Sequence, residues 1–208
     1  MKNLKITFGI MLMNLLFVKN LSAQTPDEGG SLGIKGGINI TKYSLREAAA
    51  ASSPGFNIGI FSSGALSENF AIQPELNLNV FRSDITLGSE TGNKKFSLTM
   101  AYPEFVLLLN IQCKKLYAQF GPYVSYLAYI HTENSGEDIS GIVSRRNFYD
   151  IDYGLVYSAG YQLKRWDVGV RYNGGLFKFG KPNSENGNPN IFREAKTSSL
   201  QFCVGYYF

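Results

Sequence analysis

The sequence has few of the side chains from which catalytic and metal sites are built. Of its 208 residues, only His131 is a histidine, and Cys113 and Cys203 are the only cysteines. A catalytic base needs an oriented nucleophile beside it, and His131 lies in a predicted polar loop whose serines, Ser135 and Ser140, carry no specifying motif. No Asp/Asn-Gly loop with the ligand spacing of a Ca²⁺ site occurs. The sequence therefore predicts no catalytic residues, no metal site and no cofactor.

Long apolar runs are absent except at the N-terminus. There an apolar stretch over 6–18 follows Lys2 and Lys5 and precedes the small residues that end at Ala23. The stretch is shorter than the ~20 apolar residues that a membrane-spanning helix needs. A basic start, an apolar centre and a small residue at the cut are typical of a secretory signal, so residues 1–23 are predicted to be a cleaved signal peptide.

A strong excess of one charge is also lacking. The predicted signal carries Lys2, Lys5 and Lys19 and no acid, so its removal lowers the formal charge from +4 to +1. The mature chain is nearly neutral, which gives no case for nucleic acid as a partner. Its 185 residues suit one domain, with a disordered leader over 24–31 and a folded part over 32–208.

Side chains alternate between apolar and polar or small over most of that folded part. In the segment 151–163 every second residue is apolar, and the alternation resumes after Lys164-Arg165. A strand places successive side chains on opposite faces, so such a segment is a strand with one apolar face. The pattern predicts eight strands: 32–42, 55–65, 70–82, 96–112, 116–130, 151–163, 166–176 and 197–208.

Alternation alone is shared by soluble sandwiches and membrane barrels, and the connections decide between them. Long connections (43–54, 83–95, 131–147 and 178–196) alternate with short turns (66–69, 113–115 and 164–165). Outer-membrane barrels have long external loops, short periplasmic turns and tilted strands of about 9–11 residues. The sequence thus predicts an all-β fold, an eight-stranded antiparallel up-and-down transmembrane β-barrel.

On this interpretation a set of charged side chains faces the barrel interior. They are Lys35, Glu75, Glu104, Asp152, Asp167 and Arg171. They indicate either a polar channel or a plug of paired charges and amides. An eight-stranded barrel is just wide enough for side chains to fill, and buried charges must pair, so we expect a filled lumen with Lys35 and Arg171 pairing the acids.

Aromatic residues are expected to form girdles at both ends of the wall, where it meets the lipid head groups. The terminal strand ends on the aromatic Phe208. We predict that Phe208 is an insertion signal read by the outer-membrane assembly machinery.

Several motifs resemble the PorT-like porin family of small outer-membrane barrels. They lie at 33–39 (Gly-Ile-Lys-Gly-Gly-Ile-Asn), 72–76 (Ile-Gln-Pro-Glu-Leu), 102–109, 121–123 (Gly-Pro-Tyr), 152–156 and 171–176. One departure is that Pro103 precedes Glu104, whereas the family usually places the proline after the glutamate. The resemblance covers nearly all of the mature chain and implies an outer-membrane barrel without catalytic residues. It implies activity only weakly, through a namesake linked to a protein-secretion system.

These features favour a non-enzymatic barrel in the outer membrane of a Gram-negative bacterium, with the lipid bilayer as its surroundings. It would act as a membrane anchor or interaction platform through its external loops. Three alternatives stay open: an accessory of a secretion or assembly system, a narrow porin channel, and an enzyme at the external rim.

Overall fold

The computed structural model describes residues 31–43, 49–89, 92–134, 144–183, 190 and 192–208. The predicted signal peptide and all but the last residue of the predicted leader lie outside the described residues. Among the described residues, no helix is long and apolar enough to cross a membrane.

Within the described residues, nine antiparallel strands make up the fold. They are β1 (Ser31–Tyr43), β2 (Ala49–Ser67), β3 (Phe70–Ser89), β4 (Gly92–Cys113), β5 (Leu116–Tyr126), β6 (Tyr129–Asn134), β7 (Ile151–Leu163), β8 (Trp166–Gly175) and β9 (Thr197–Tyr207), with a 3₁₀ turn at Arg145–Asn147. Their order in the sheet is β3-β2-β1-β9-β8-β7-β5-β4-β6, and pairing of β3 with β4 closes it into a ring. The predicted antiparallel barrel is confirmed.

The ninth strand arises because the predicted strand 116–130 is interrupted. Both of its parts pair with β4: β5 with the half nearer the short turn, and β6 with Phe96–Ala101. Between them, the amide of Leu127 donates to the carbonyl of Asp150 and that of Ala128 to the carbonyl of Ala101. Leu127 is fully buried in the barrel mouth, so local packing interrupts a strand that still fills one place in an eight-membered wall.

The wall has an apolar outside. Side chains at alternate positions of β7 and β8 are exposed, for example Tyr157 at 52% and Val168 at 52%, whereas the residues between them are more buried. A water-soluble fold would bury such a continuous apolar surface. In a membrane barrel the surface faces lipid and the polar face lines the lumen.

The prediction of a polar loop over 83–95 is wrong. The β3–β4 hairpin continues in register from Ser83↔Leu98 to Ser89↔Gly92. Outward-facing residues of β3 change from Leu78 and Val80 to Arg82 and Asp84, so this part of the hairpin rises above the lipid-facing wall. Together with β6 and the start of β2 it forms a four-stranded sheet, which we call the external sheet.

Candidate functional site

Three charged side chains from different strands meet in the lumen. The Arg171 guanidinium on β8 donates from Nη1 to Glu75 Oε2 at 2.7 Å and from Nη2 to Glu75 Oε1 at 2.8 Å. Lys35 Nζ on β1 donates to the same Oε2. All three side chains are buried, and Glu75 is fully so. We call this group the lumen ion triad.

Amide side chains complete the coordination of the Glu75 carboxylate. Gln73 Nε2 donates to Oε1 at 2.9 Å and Asn77 Nδ2 donates to Oε2 at 3.1 Å. The network continues across the lumen from Gln119 to Gln73 and from Ser158 to Gln119. A buried charge is stable only when it is paired and hydrogen-bonded, and five hydrogen bonds meet this requirement at Glu75.

The other predicted lumen acids are placed differently. Glu104 accepts hydrogen bonds from Asn173 at 3.0 Å and Asn77 at 3.3 Å. The hydroxyl of Tyr123 donates to Asp152 at 3.2 Å. Within the described residues none of these contacts is an ion pair, so the structure brings together Lys35, Glu75 and Arg171 and leaves the remaining acids with neutral donors.

Asp167 lies nearer the short turns than the triad does, and it is only partly buried. It accepts a long hydrogen bond, 3.4 Å, from the hydroxyl of Tyr117. Gly160 and Gly169 make room for that tyrosine, because a Cβ at either position would lie within 2.4 Å of its hydroxyl oxygen. A small polar cavity, lined by Tyr117, Asp167 and the residues of the triad, lies at this level.

The external mouth of the lumen is filled by an aromatic cluster that the sequence did not predict. Phe148, Phe179 and Phe192 are almost fully buried, and their ring centroids lie 5.1–6.1 Å apart. Backbone bonds hold the segments together: the amide of Tyr149 donates to the carbonyl of Phe179, and that of Phe179 to the carbonyl of Ala195. We call these three phenylalanines the aromatic plug.

The plug belongs to a larger apolar cluster. Its other buried members come mainly from the external sheet: Phe81, Ile85, Phe96, Leu98, Met100, Tyr102, Leu127 and Ala195. The only signal in the sequence was single phenylalanines within polar stretches, which have no periodicity to identify them.

Of the three residues considered for catalysis, the structure describes only His131. His131 is exposed on β6 and stacks on Tyr129, with ring centroids 6.1 Å apart. Ser135 and Ser140 lie outside the described residues. Among the residues that are described, no group of three or more His, Cys, Asp or Glu side chains is arranged to hold a metal ion.

Comparison with known proteins identifies the family to which this barrel belongs. A family model described as "Outer membrane protein beta-barrel domain" matches residues 22–180. The chain belongs to this family. It is therefore an outer-membrane protein of Gram-negative type, with its apolar wall in the lipid bilayer. The match is to the barrel domain in general and does not single out PorT-like members.

Solved structures of small outer-membrane barrels are also similar to this chain. Neisserial surface protein A (NspA) is 14% identical, covering 87% of this chain and 100% of that one, with a TM-score of 0.49. Escherichia coli outer membrane protein W is 13% identical over 88% and 100% of the two chains, with a TM-score of 0.42. The attachment invasion locus protein Ail of Yersinia pestis is 13% identical over 86% and 99%, with a TM-score of 0.34. No match was found among curated proteins.

Membership of this family orients the barrel. Outer-membrane barrels place their short turns and both termini in the periplasm. The turns after β2, β4 and β7 are therefore periplasmic, and the external sheet and aromatic plug face outward. Phe208 lies at the periplasmic end, where its amide donates to the carbonyl of Leu32 on β1 and its ring contacts Tyr206. Its role as an insertion signal stays a prediction.

Proposed function

We propose that this protein is a non-conducting, non-enzymatic barrel that anchors an external interaction platform in the outer membrane. The observation that carries the proposal is the state of the lumen, which is filled at two levels. The ion triad crosses it at one level, and the aromatic plug fills its external mouth. A water-filled pore would need both to be displaced.

The second support is the structure above the membrane. The external sheet is not a set of loose loops, because its inner face carries buried apolar residues such as Ile85 and Leu98 that pack on the plug. Its outer face is polar, with Arg82 paired to Glu133 at 3.2 Å. A rigid sheet with a dedicated apolar core is a suitable base for binding, since binding residues are positioned best by a rigid scaffold.

Conductance and complementation test the two halves of the proposal. In planar bilayers, the purified barrel is expected to give no stable single-channel steps, and regular steps would refute the closed lumen. A variant that replaces residues 86–95 by a short turn between the paired residues Ile85 and Phe96 shortens the external hairpin and keeps the pairing of β6 with β4. In a strain lacking the gene, that variant is expected to behave like the deletion. Full complementation by the shortened barrel would refute the platform.

A second candidate, a secretion accessory like the PorT namesake, has one specific observation in its favour. The motifs that carry the PorT-like resemblance supply the lumen side chains Lys35, Glu75, Glu104, Asp152 and Arg171. The similarity therefore concerns how the interior is built. A changed profile of secreted proteins in the deletion strain, with unchanged permeability to small solutes, would favour the secretion role over a narrow pore.

A further inference from the structure

Two neighbouring periplasmic turns carry four basic side chains. Lys114-Lys115 joins β4 to β5, and Lys164-Arg165 joins β7 to β8. Because β5 pairs with β7, the turns lie side by side, and the amide of Gln162 donates to the carbonyl of Lys115 at 2.7 Å. We call the four residues the basic rim.

The basic rim has no acidic partner within the part of the chain that the structure describes. All four side chains are exposed, and none forms an ion pair there. Among the external basic residues, Arg82, Arg145 and Lys178 each pair with a carboxylate. The neighbouring turn after β2 carries one exposed acid, Glu68.

Backbone conformation gives an independent indication that the basic rim has a function. Lys114 and Lys164 have φ values of 56° and 54°, and they are the only non-glycine residues with positive φ in the described chain. Glycine or asparagine adopts this conformation at less cost. Both turns therefore hold a lysine at the position where the backbone favours glycine, and strain of this kind points toward function.

The position of the rim identifies the ligand. Immediately next to it on the outer face are Leu116, Leu163 and Trp166, which are 61%, 50% and 54% exposed to the lipid. Trp166 also packs edge-on against Tyr206, as expected of an aromatic girdle at the head-group level. The charges thus lie at the height of lipid phosphates. We propose that the basic rim binds anionic phospholipid head groups of the periplasmic leaflet.

Trp166 allows a direct test, since it is the only tryptophan of the chain and follows Arg165 immediately. Its fluorescence is measured in vesicles that contain equal mole fractions of brominated phosphatidylglycerol or brominated phosphatidylcholine. We expect the local concentration of the anionic lipid around Trp166, taken from the quenching, to be about five times that of phosphatidylcholine. This factor is equivalent to about 1 kcal/mol for a basic residue at an anionic surface. High salt is expected to reduce this preference, because exposed charges are screened.

The test variant carries Lys114→Gly, Lys115→Ser, Lys164→Gly and Arg165→Ser, which removes the charges and relieves the turn backbone. A matched control removes four external charges: Lys42→Gln, Lys178→Gln, Lys181→Gln and Lys196→Gln. The preference is expected to fall to near unity in the test variant and to persist in the control. The salt titration uses the unmodified protein, so it tests the proposal even if the variant fails to insert.

Two results would overturn the proposal. One is equal quenching by both lipids in the unmodified protein, and the other is an unchanged preference in the test variant. Soluble polyglutamate is added to barrels in phosphatidylcholine vesicles as a third arm. If it binds the basic rim while no lipid preference exists, the rim serves an acidic protein and the lipid assignment is wrong.

Discussion

Replacing Arg171 by leucine tests whether the lumen ion triad holds the barrel together. Arg171 supplies two of the five hydrogen bonds to Glu75, at 2.7 and 2.8 Å. In the variant the Glu75 carboxylate stays fully buried and keeps only Lys35 as a cationic partner. Leucine fills part of the volume, so the main loss is electrostatic.

The expected magnitude follows from burial. Removing one member of a buried ion pair destabilises a protein by about 3–5 kcal/mol, because the remaining charge lacks its partner. Lys35 and the two amides still bind Glu75, which puts the expected loss at the lower end, about 3 kcal/mol. Arg171→Lys keeps the charge but not the bidentate geometry. Its free energy of unfolding is expected to lie between those of the unmodified protein and Arg171→Leu.

Urea unfolding of the barrel in lipid vesicles, followed by Trp166 fluorescence, measures this loss. Val170→Leu is the matched control, since Val170 is the preceding residue on β8 and faces lipid at 43% exposure. The double variant Glu75→Gln/Arg171→Leu is expected to lose less than the sum of the single changes, because the two residues interact directly. An Arg171→Leu barrel within about 0.5 kcal/mol of the control, the range of ordinary surface changes, would refute the reasoning.

Three further predictions concern the two ends of the barrel. Phe192→Ala leaves a hole in the aromatic plug and is expected to cost about 3–5 kcal/mol in urea unfolding; a smaller effect would show that the plug is loosely packed. Deleting Phe208 is expected to reduce assembly in cells, measured as the heat-modifiable fraction on gels, and normal assembly would contradict its role as an insertion signal. Hydrogen bonds from the Ser53 and Ser97 hydroxyls hold the pKa of Asp84 below its usual value. Ionised Asp84 therefore stabilises the external sheet above the unfolded pKa of about 4. Protection of the sheet's amides against hydrogen exchange, expressed relative to the intrinsic rate at each pH, should fall as pH falls through the lower folded value, and in Asp84→Asn this loss should be absent.

The wall could be predicted because one period governs it. Alternation assigned Tyr157 and Val168 to the outside and Glu75 and Arg171 to the inside without knowledge of strand pairing. That assignment needs only local geometry. The contacts among the inner residues could not be predicted, because Lys35, Glu75 and Arg171 come from β1, β3 and β8 and meet only when the sheet closes. The distances across the lumen are set only when the barrel closes, so they cannot be predicted from a local sequence pattern.

The external end was predicted less well for a related reason. Residues 83–95 are rich in polar side chains because one face of their hairpin meets water, and this hides the inward position of Ile85. Likewise, Phe179 and Phe192 are isolated aromatic residues in loops, so their burial depends on three segments that fold together over the mouth. Composition describes the exposed face of such a region and not its core.

The two ends of the lumen differ in a way that bears on function. Toward the periplasm the interior is polar and reaches solvent through the cavity beside Asp167, whereas the external mouth is apolar and closed by the plug. An ion that crossed would have to displace the triad, with its five hydrogen bonds at Glu75, and then enter an aromatic cluster with no charge to receive it. Both steps remove favourable contacts without replacing them. A closed lumen leaves the proposed functions to the two ends of the barrel: partner binding to the external sheet, and lipid binding to the basic rim at the periplasmic head groups.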